Sequence, residues 1–176
     1  RAVVMRGPGG PEVLEVREVP TPEPGPGAVR VRVRAAGVNR ADLLQRRGRY
    51  PAPGDAPQDV LGLEYAGVVD EVGAGATRFR PGDRVMGIVG GGAYAEAVVV
   101  PESHAIPIPD GLSFEEAAAI PEAFITAHDA LFTLLGLQAG ERLLVHAVGS
   151  GVGVAALQLA REAGVTVFGT ARSPWK

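Results

Sequence analysis

No cysteine occurs in the chain, which excludes disulfide staples and thiolate metal ligands. Lysine is almost missing: Lys176 is the single one, so arginine supplies the other 16 of the 17 basic residues. Asparagine is reduced to Asn39. Scarcity of asparagine and cysteine accompanies growth at high temperature, scarcity of lysine does not, and the arginine bias also fits a GC-rich genome. No run approaches the roughly 18 apolar residues of a membrane span. No secretory leader is expected either, because Arg1–Val4 runs straight into Gly/Pro-rich sequence. The net charge of −3 gives no general attraction for polyanions.

What is present is a chain of 176 residues, 46% hydrophobic and 21% charged, the balance of a globular protein of one or two domains. Its first part reads as short strands punctuated by glycine and proline. Ala2–Met5 and Val13–Val16 flank the turn Gly7–Gly10. After the proline-rich loop 21–27, Val29, Val31 and Val33 alternate with Arg30, Arg32 and Arg34, which predicts a half-buried strand with a solvated arginine face. Asn39–Arg46 reads as a short helix with Asn39 as N-cap and Asp42 complementing its positive end. Tyr50 leads into the proline-rich loop 51–59. Further strands are expected at 66–72, after the turn at 80–84, and over 93–100, so residues 1–108 suggest a small barrel or sandwich.

At Ser113 the period changes. Ser113-Phe114-Glu115-Glu116 is a capping box, Pro121 breaks the helix it starts, and the same proline can open a second helix reaching Phe132. The domain boundary is therefore expected near 110–122. Beyond it, the apolar run 143–147, the turn Gly149-Ser150-Gly151-Val152-Gly153, the helical pattern 154–164 and the apolar run 165–168 spell strand, glycine turn, helix, strand. That is the opening of a dinucleotide-binding domain: glycines let a pyrophosphate approach bare backbone, and the helix start offers N–H groups to anionic oxygens. NAD-binding versions place an acid about 20 residues past the glycines, on the ribose 2′-hydroxyl. Here that region holds Arg172, Ser173 and Lys176 and no acid, a set suited to a 2′-phosphate, so NADPH is expected over NADH. The histidines at 104, 128 and 146 have no second ligand at a recognised spacing, and no metal is expected.

Gly37–Asp42, Gly62–Val69, Gly82–Val85, Gly92–Glu96, Ala117–Pro121, Thr126-Ala127 and Ala147–Gly153, in this order and spacing, resemble the medium-chain dehydrogenase/reductase superfamily, specifically its zeta-crystallin-like NADPH:quinone oxidoreductases. Residues 45–50 and Ala119–Ala123 look most similar to the type linked to the p53 response. The resemblance implies a GroES-like β-barrel domain, residues 1–120, followed over 121–176 by the first βαβ unit of a Rossmann domain, an α/β plus β architecture. It also implies a longer protein of roughly 300 residues, of which this is a portion.

Zinc enzymes of the superfamily carry a cysteine near position 39 and a histidine before the glutamate at 64; here Asn39 and Leu63 stand there, which implies zinc-independent chemistry. By similarity, Asn39, Asp42 and Tyr50 line the catalytic pocket, with Tyr50 as hydroxyl donor to the reduced oxygen, and Glu64 is a structural or pocket carboxylate. Thr126 meets the nicotinamide end, Ser150, Gly151, Val152 and Gly153 hold the pyrophosphate, and Arg172, Ser173 and Lys176 lie near the 2′-phosphate. The implied activity is quinone reduction by a cytoplasmic homodimer. Two alternatives stand beside it: reduction of activated C=C bonds in 2-alkenals or enoyl thioesters, and a crystallin-like protein binding NADPH or RNA without important catalysis. Residues 30–49 carry seven arginines against one acid, but no aromatic platform before Tyr50, so nucleic acid is not the expected partner.

Overall fold

The structure is a computed structural model and describes residues 1–54 and 56–173. The chain forms two compact units, Arg1–Pro121 and Glu122–Lys176.

The first unit is built on an antiparallel sheet. Strands β1 (Ala2–Met5) and β2 (Leu14–Arg17) pair as a hairpin. Strands β3 (Ala28–Ala36), β4 (Glu64–Val72), β5 (Arg84–Ile88), β6 (Ala97–Pro101) and β7 (Ile106–Pro107) form a five-stranded sheet in the order β6-β3-β4-β5-β7. Single bridges, Ala2 to Ala95 and Val4 to Val60, tie the hairpin to the loops. The expected alternation holds along β3, where Val29 and Val31 are fully buried and pack with Tyr65, Val69, Val85, Val98 and Val100. Ala66 and Met86 face the other way, onto Ala117 and Ala118 of helix α2 (Phe114–Ala118). Arg84 pins that helix by lying 4.7 Å over the Phe114 ring and donating to Leu112 O.

The arginine face of β3 is not merely solvated. The register steps from Arg30–Glu71 to Val31–Val69, which leaves Asp70 as an extra residue on β4. That bulge aims Asp70 between two arginines: Arg30 Nε bonds it at 2.8 Å and Arg32 Nη2 at 3.3 Å, while Arg30 Nη1 reaches Glu71 at 2.7 Å. The strand expected over 93–100 forms only from Ala97 onward, because Gly92, with φ +95°, turns the chain and Ala93–Glu96 runs as irregular backbone.

The Ser113 capping box is present, with Glu116 N donating to Ser113 Oγ at 3.1 Å and Ser113 N to Glu116 Oε2 at 2.8 Å. Pro121 opens α3 (Pro121–His128). The helix does not continue regularly to Phe132; residues Asp129–Leu134 widen into a π-turn that nothing in the local sequence marks. In the second unit β8 (Arg142–His146) and β9 (Thr166–Thr170) run parallel, joined through α4 (Gly151–Glu162). Leu143 and Val167 pack with Ala155, Ala156 and Ala160 of α4 and with Ala127 and Leu131. The opposite sheet face exposes Leu144 and Phe168, at 57% and 54%.

Candidate functional site

In the first unit, three glycine-led segments converge. Asn39 precedes α1 (Arg40–Arg46), its backbone N–H donating to Asp42 Oδ2 at 2.7 Å as the helix-start reading requires. Its side chain does more than cap: Nδ2 donates to Glu64 Oε1, at the start of β4, at 2.7 Å. Tyr94 comes in from the loop before β6, and its hydroxyl lies 2.8 Å from Asp42 Oδ2 and 3.2 Å from Gly37 O. Asp42 and Glu64 are 3% and 4% exposed, so both carboxylates lie inside the protein, held by these donors. Burial comes first among the causes that push the Tyr94 hydroxyl well above the ordinary phenol value. The Asp42 hydrogen bond and the charges of Asp42 and Glu64 add to it, so Tyr94 stays a proton donor.

Two glycines make the room. A Cβ on Gly37 would fall on Glu64 Oε1 and lie 2.7 Å from Ala118 O. A Cβ on Gly62, itself at φ +101°, would lie 2.6 Å from both Tyr94 Cδ1 and Tyr94 N. Asn39 and Asp42 are thus brought together as expected from the sequence. Tyr50 stands outside that network and is 45% exposed. Tyr94 had no sequence-derived role, since a hydrogen bond spanning 52 positions leaves no local signal. A cavity of about 860 Å³, bordered by Val60, Val89, Val98 and Val100, lies in the same unit, but none of Asn39, Asp42 and Tyr50 lines it. Among the described residues no group of three or more His, Asp or Glu side chains could hold a metal ion. No helix there is long and apolar enough to cross a membrane.

In the second unit the glycine turn caps α4. Ser150 Oγ accepts from Gly153 N at 3.1 Å, and Ser150 N donates to Ala147 O at 2.8 Å. The N–H groups of Gly151 and Val152, in the first helical turn, have no intrahelical acceptor, and N–H groups so placed favour anions. A Cβ on Gly151 would meet nothing within 4 Å, whereas one on Gly153 would lie 2.7 Å from Ala147 O and Val148 O. The open glycine leaves bare backbone uncovered at the helix start; the crowded one lets helix and strand end touch. Ala147 takes φ +54° to make the bend. Arg172 follows β9 and is exposed, and Ser173 is half-buried beside it. Thr126 lies exposed on α3. Lys176 lies outside the described residues. These positions fit a phosphorylated coenzyme: an uncrowded helix start, then a cation and a hydroxyl past the second strand, with no carboxylate between Thr166 and Ser173 to repel a phosphate.

Residues 25–110 match the alcohol dehydrogenase GroES-like domain. A quinone oxidoreductase of Pseudomonas aeruginosa is 47% identical over 169 residues, which is 96% of this chain and 51% of that protein. Among solved structures, human synaptic vesicle membrane protein VAT-1 homolog-like protein superposes with a TM-score of 0.91 at 42% identity, covering 100% of this chain and 57% of the other. CurK enoyl reductase gives 0.91 at 31% identity, covering 99% and 55%. Escherichia coli quinone oxidoreductase complexed with NADPH gives 0.87 at 33% identity, covering 99% and 53%. The chain spans about half the length of the relatives it matches over its whole extent. With its GroES-like domain followed by the opening βαβ unit of a Rossmann domain, the chain belongs to the zeta-crystallin-like group of the medium-chain dehydrogenase/reductase superfamily.

Proposed function

We propose that the complete protein reduces quinones with NADPH and without zinc, and that this chain supplies its catalytic-pocket residues and its diphosphate grip. The observation that carries the reading is the pairing of an uncrowded α4 start at Gly151 with Arg172 and Ser173 after β9, where no acid stands. Gly151 and Val152 N–H groups hold the diphosphate, with Ser150 and Gly153 shaping the turn. Arg172 and Ser173 take the 2′-phosphate; Arg172 offers the planar, permanently charged fork that such an anion favours. The coenzyme, when bound, supplies the reducing equivalents. Asn39 and Asp42 form the pocket wall, Thr126 meets the nicotinamide end, and the hydroxyl of Tyr50 donates to the oxygen being reduced. The similarity to P. aeruginosa and E. coli quinone oxidoreductases supports quinones as substrates.

The likeness to CurK enoyl reductase favours a second reading, reduction of an activated C=C bond by the same scaffold and coenzyme. One experiment separates the two and tests both. The complete polypeptide is titrated with NADPH and NADH by calorimetry, then assayed for NADPH oxidation. The substrates are 1,2-naphthoquinone, 9,10-phenanthrenequinone, 2-alkenals and crotonyl-CoA. Tighter NADPH binding with quinone turnover is expected. Equal affinity for the two coenzymes removes the role of Arg172, and turnover confined to alkenals or crotonyl-CoA replaces the quinone reading with the second one.

A further inference from the structure

We infer that Tyr94 is a positioning residue: through Asp42 it fixes Asn39, so that the Asn39 amide is presented in one orientation to whatever binds there. Asn39 is held by its backbone N–H on Asp42 Oδ2 and its side-chain Nδ2 on Glu64 Oε1, beside the capping box at the start of α1. An amide whose nitrogen is turned to a carboxylate has its Oδ1 on the other side, where it faces the Asp42 backbone N–H in the capping box and keeps a second lone pair for a ligand N–H or O–H. That orientation depends on Asp42 staying put. Asp42 Oδ1 is buried with no partner among the described residues, so both its donors, Asn39 N–H and the Tyr94 hydroxyl, act on Oδ2. Tyr94 is the side-chain member of that pair, and a hydroxyl bond to a buried carboxylate is among the stronger neutral-donor bonds. The backbone is shaped around the arrangement: Gly62 leaves space for the Tyr94 ring, and Gly37 leaves space for Glu64. What the Asn39 oxygen is presented to rests on the function proposed above; the clip itself does not.

Asn39 is the only asparagine, so labelling the 176-residue chain with 15N-asparagine gives one backbone amide and one side-chain pair to follow. Tyr94→Phe removes the hydroxyl alone. It is expected to move the Asn39 backbone and Nδ2 resonances and to speed exchange of the backbone N–H roughly tenfold, the factor that one such bond represents. Chemical shift decides, because a general loss of stability in a still-folded protein does not move it. Unchanged Asn39 resonances overturn the inference. Should the Phe variant not fold, Asp42→Asn is read in the same way, and unchanged resonances there overturn it too. In the complete polypeptide, Tyr94→Phe is expected to lower kcat/KM with quinone roughly tenfold, and to add nothing once Asn39→Ala is present. Additive losses mean that Tyr94 acts elsewhere and sink its positioning role. A complete protein without any quinone turnover refutes the proposed function, while the labelling result still stands on its own.

Discussion

A Cβ added at Gly153 has nowhere to go, because it would sit 2.7 Å from two backbone oxygens, Ala147 O and Val148 O. Two residues earlier, at Gly151, the same methyl group meets open space. The pair therefore separates a packing role from the proposed binding role within one helical turn. Gly153→Ala is expected to cost about 1–2 kcal/mol, the upper part of the usual overpacking penalty, since the clash is with backbone, less about 1 kcal/mol gained from a better helix former. Gly151→Ala is expected to leave the melting temperature unchanged or slightly raised, yet to weaken NADPH by crowding the diphosphate. Thermal melts and calorimetry on the complete polypeptide check both; equal effects of the two substitutions on stability would contradict the assignment. Ala147 offers a third test. Its φ of +54° costs an L-residue about 1 kcal/mol, so Ala147→Gly is expected to stabilise the chain by a few tenths of that order, visible as a higher melting temperature.

Elements were legible where a single segment carries the whole signal. The alternation of Val29, Val31 and Val33 announces β3, the Ser113–Glu116 box announces α2, and the glycine turn announces α4. What stayed hidden depends on partners far along the chain. The arginines of β3 look solvated until the bulge on β4 sets Asp70 between them, and no local pattern encodes a register step. Tyr94 meets Asp42 for the same kind of reason, and the π-turn at Asp129–Leu134 has no proline or glycine to announce it. The Asp70 cluster has a measurable signature. Burial alone would raise its carboxyl, but the hydrogen bonds from Arg30 and Arg32 outweigh that and hold it below the ordinary value. A carboxyl depressed in the folded state contributes stability that is complete above its unfolded value of about 3.9 and is lost as pH falls through the folded one. Asp70→Asn is therefore expected to destabilise near neutrality and to flatten the acid limb of a stability–pH curve. Denaturant titrations between about pH 2 and 7 check it, and parallel acid limbs for both proteins would rule it out.

At the scale of the whole chain, the second unit offers a two-stranded parallel sheet with one face covered by α3, the π-turn and α4. Parallel sheets are ordinarily covered on both faces. Leu144 and Phe168 instead lie more than half exposed, next to each other in the strand register. The 176-residue chain is thus expected to self-associate as its concentration rises, and Leu144→Glu with Phe168→Glu to return it to a monomer. Light scattering after size exclusion reads this directly; a wild-type chain that stays monomeric across the range contradicts it. The convergence around Asn39 has an evolutionary corollary. Gly37 and Gly62 each lack a side chain for the sake of a residue that comes from elsewhere, Glu64 and Tyr94. Shrinking either counterpart would not free these positions, because backbone crowds them as well, Ala118 O at Gly37 and Tyr94 N at Gly62, so both are expected to stay glycine in any lineage that keeps this convergence.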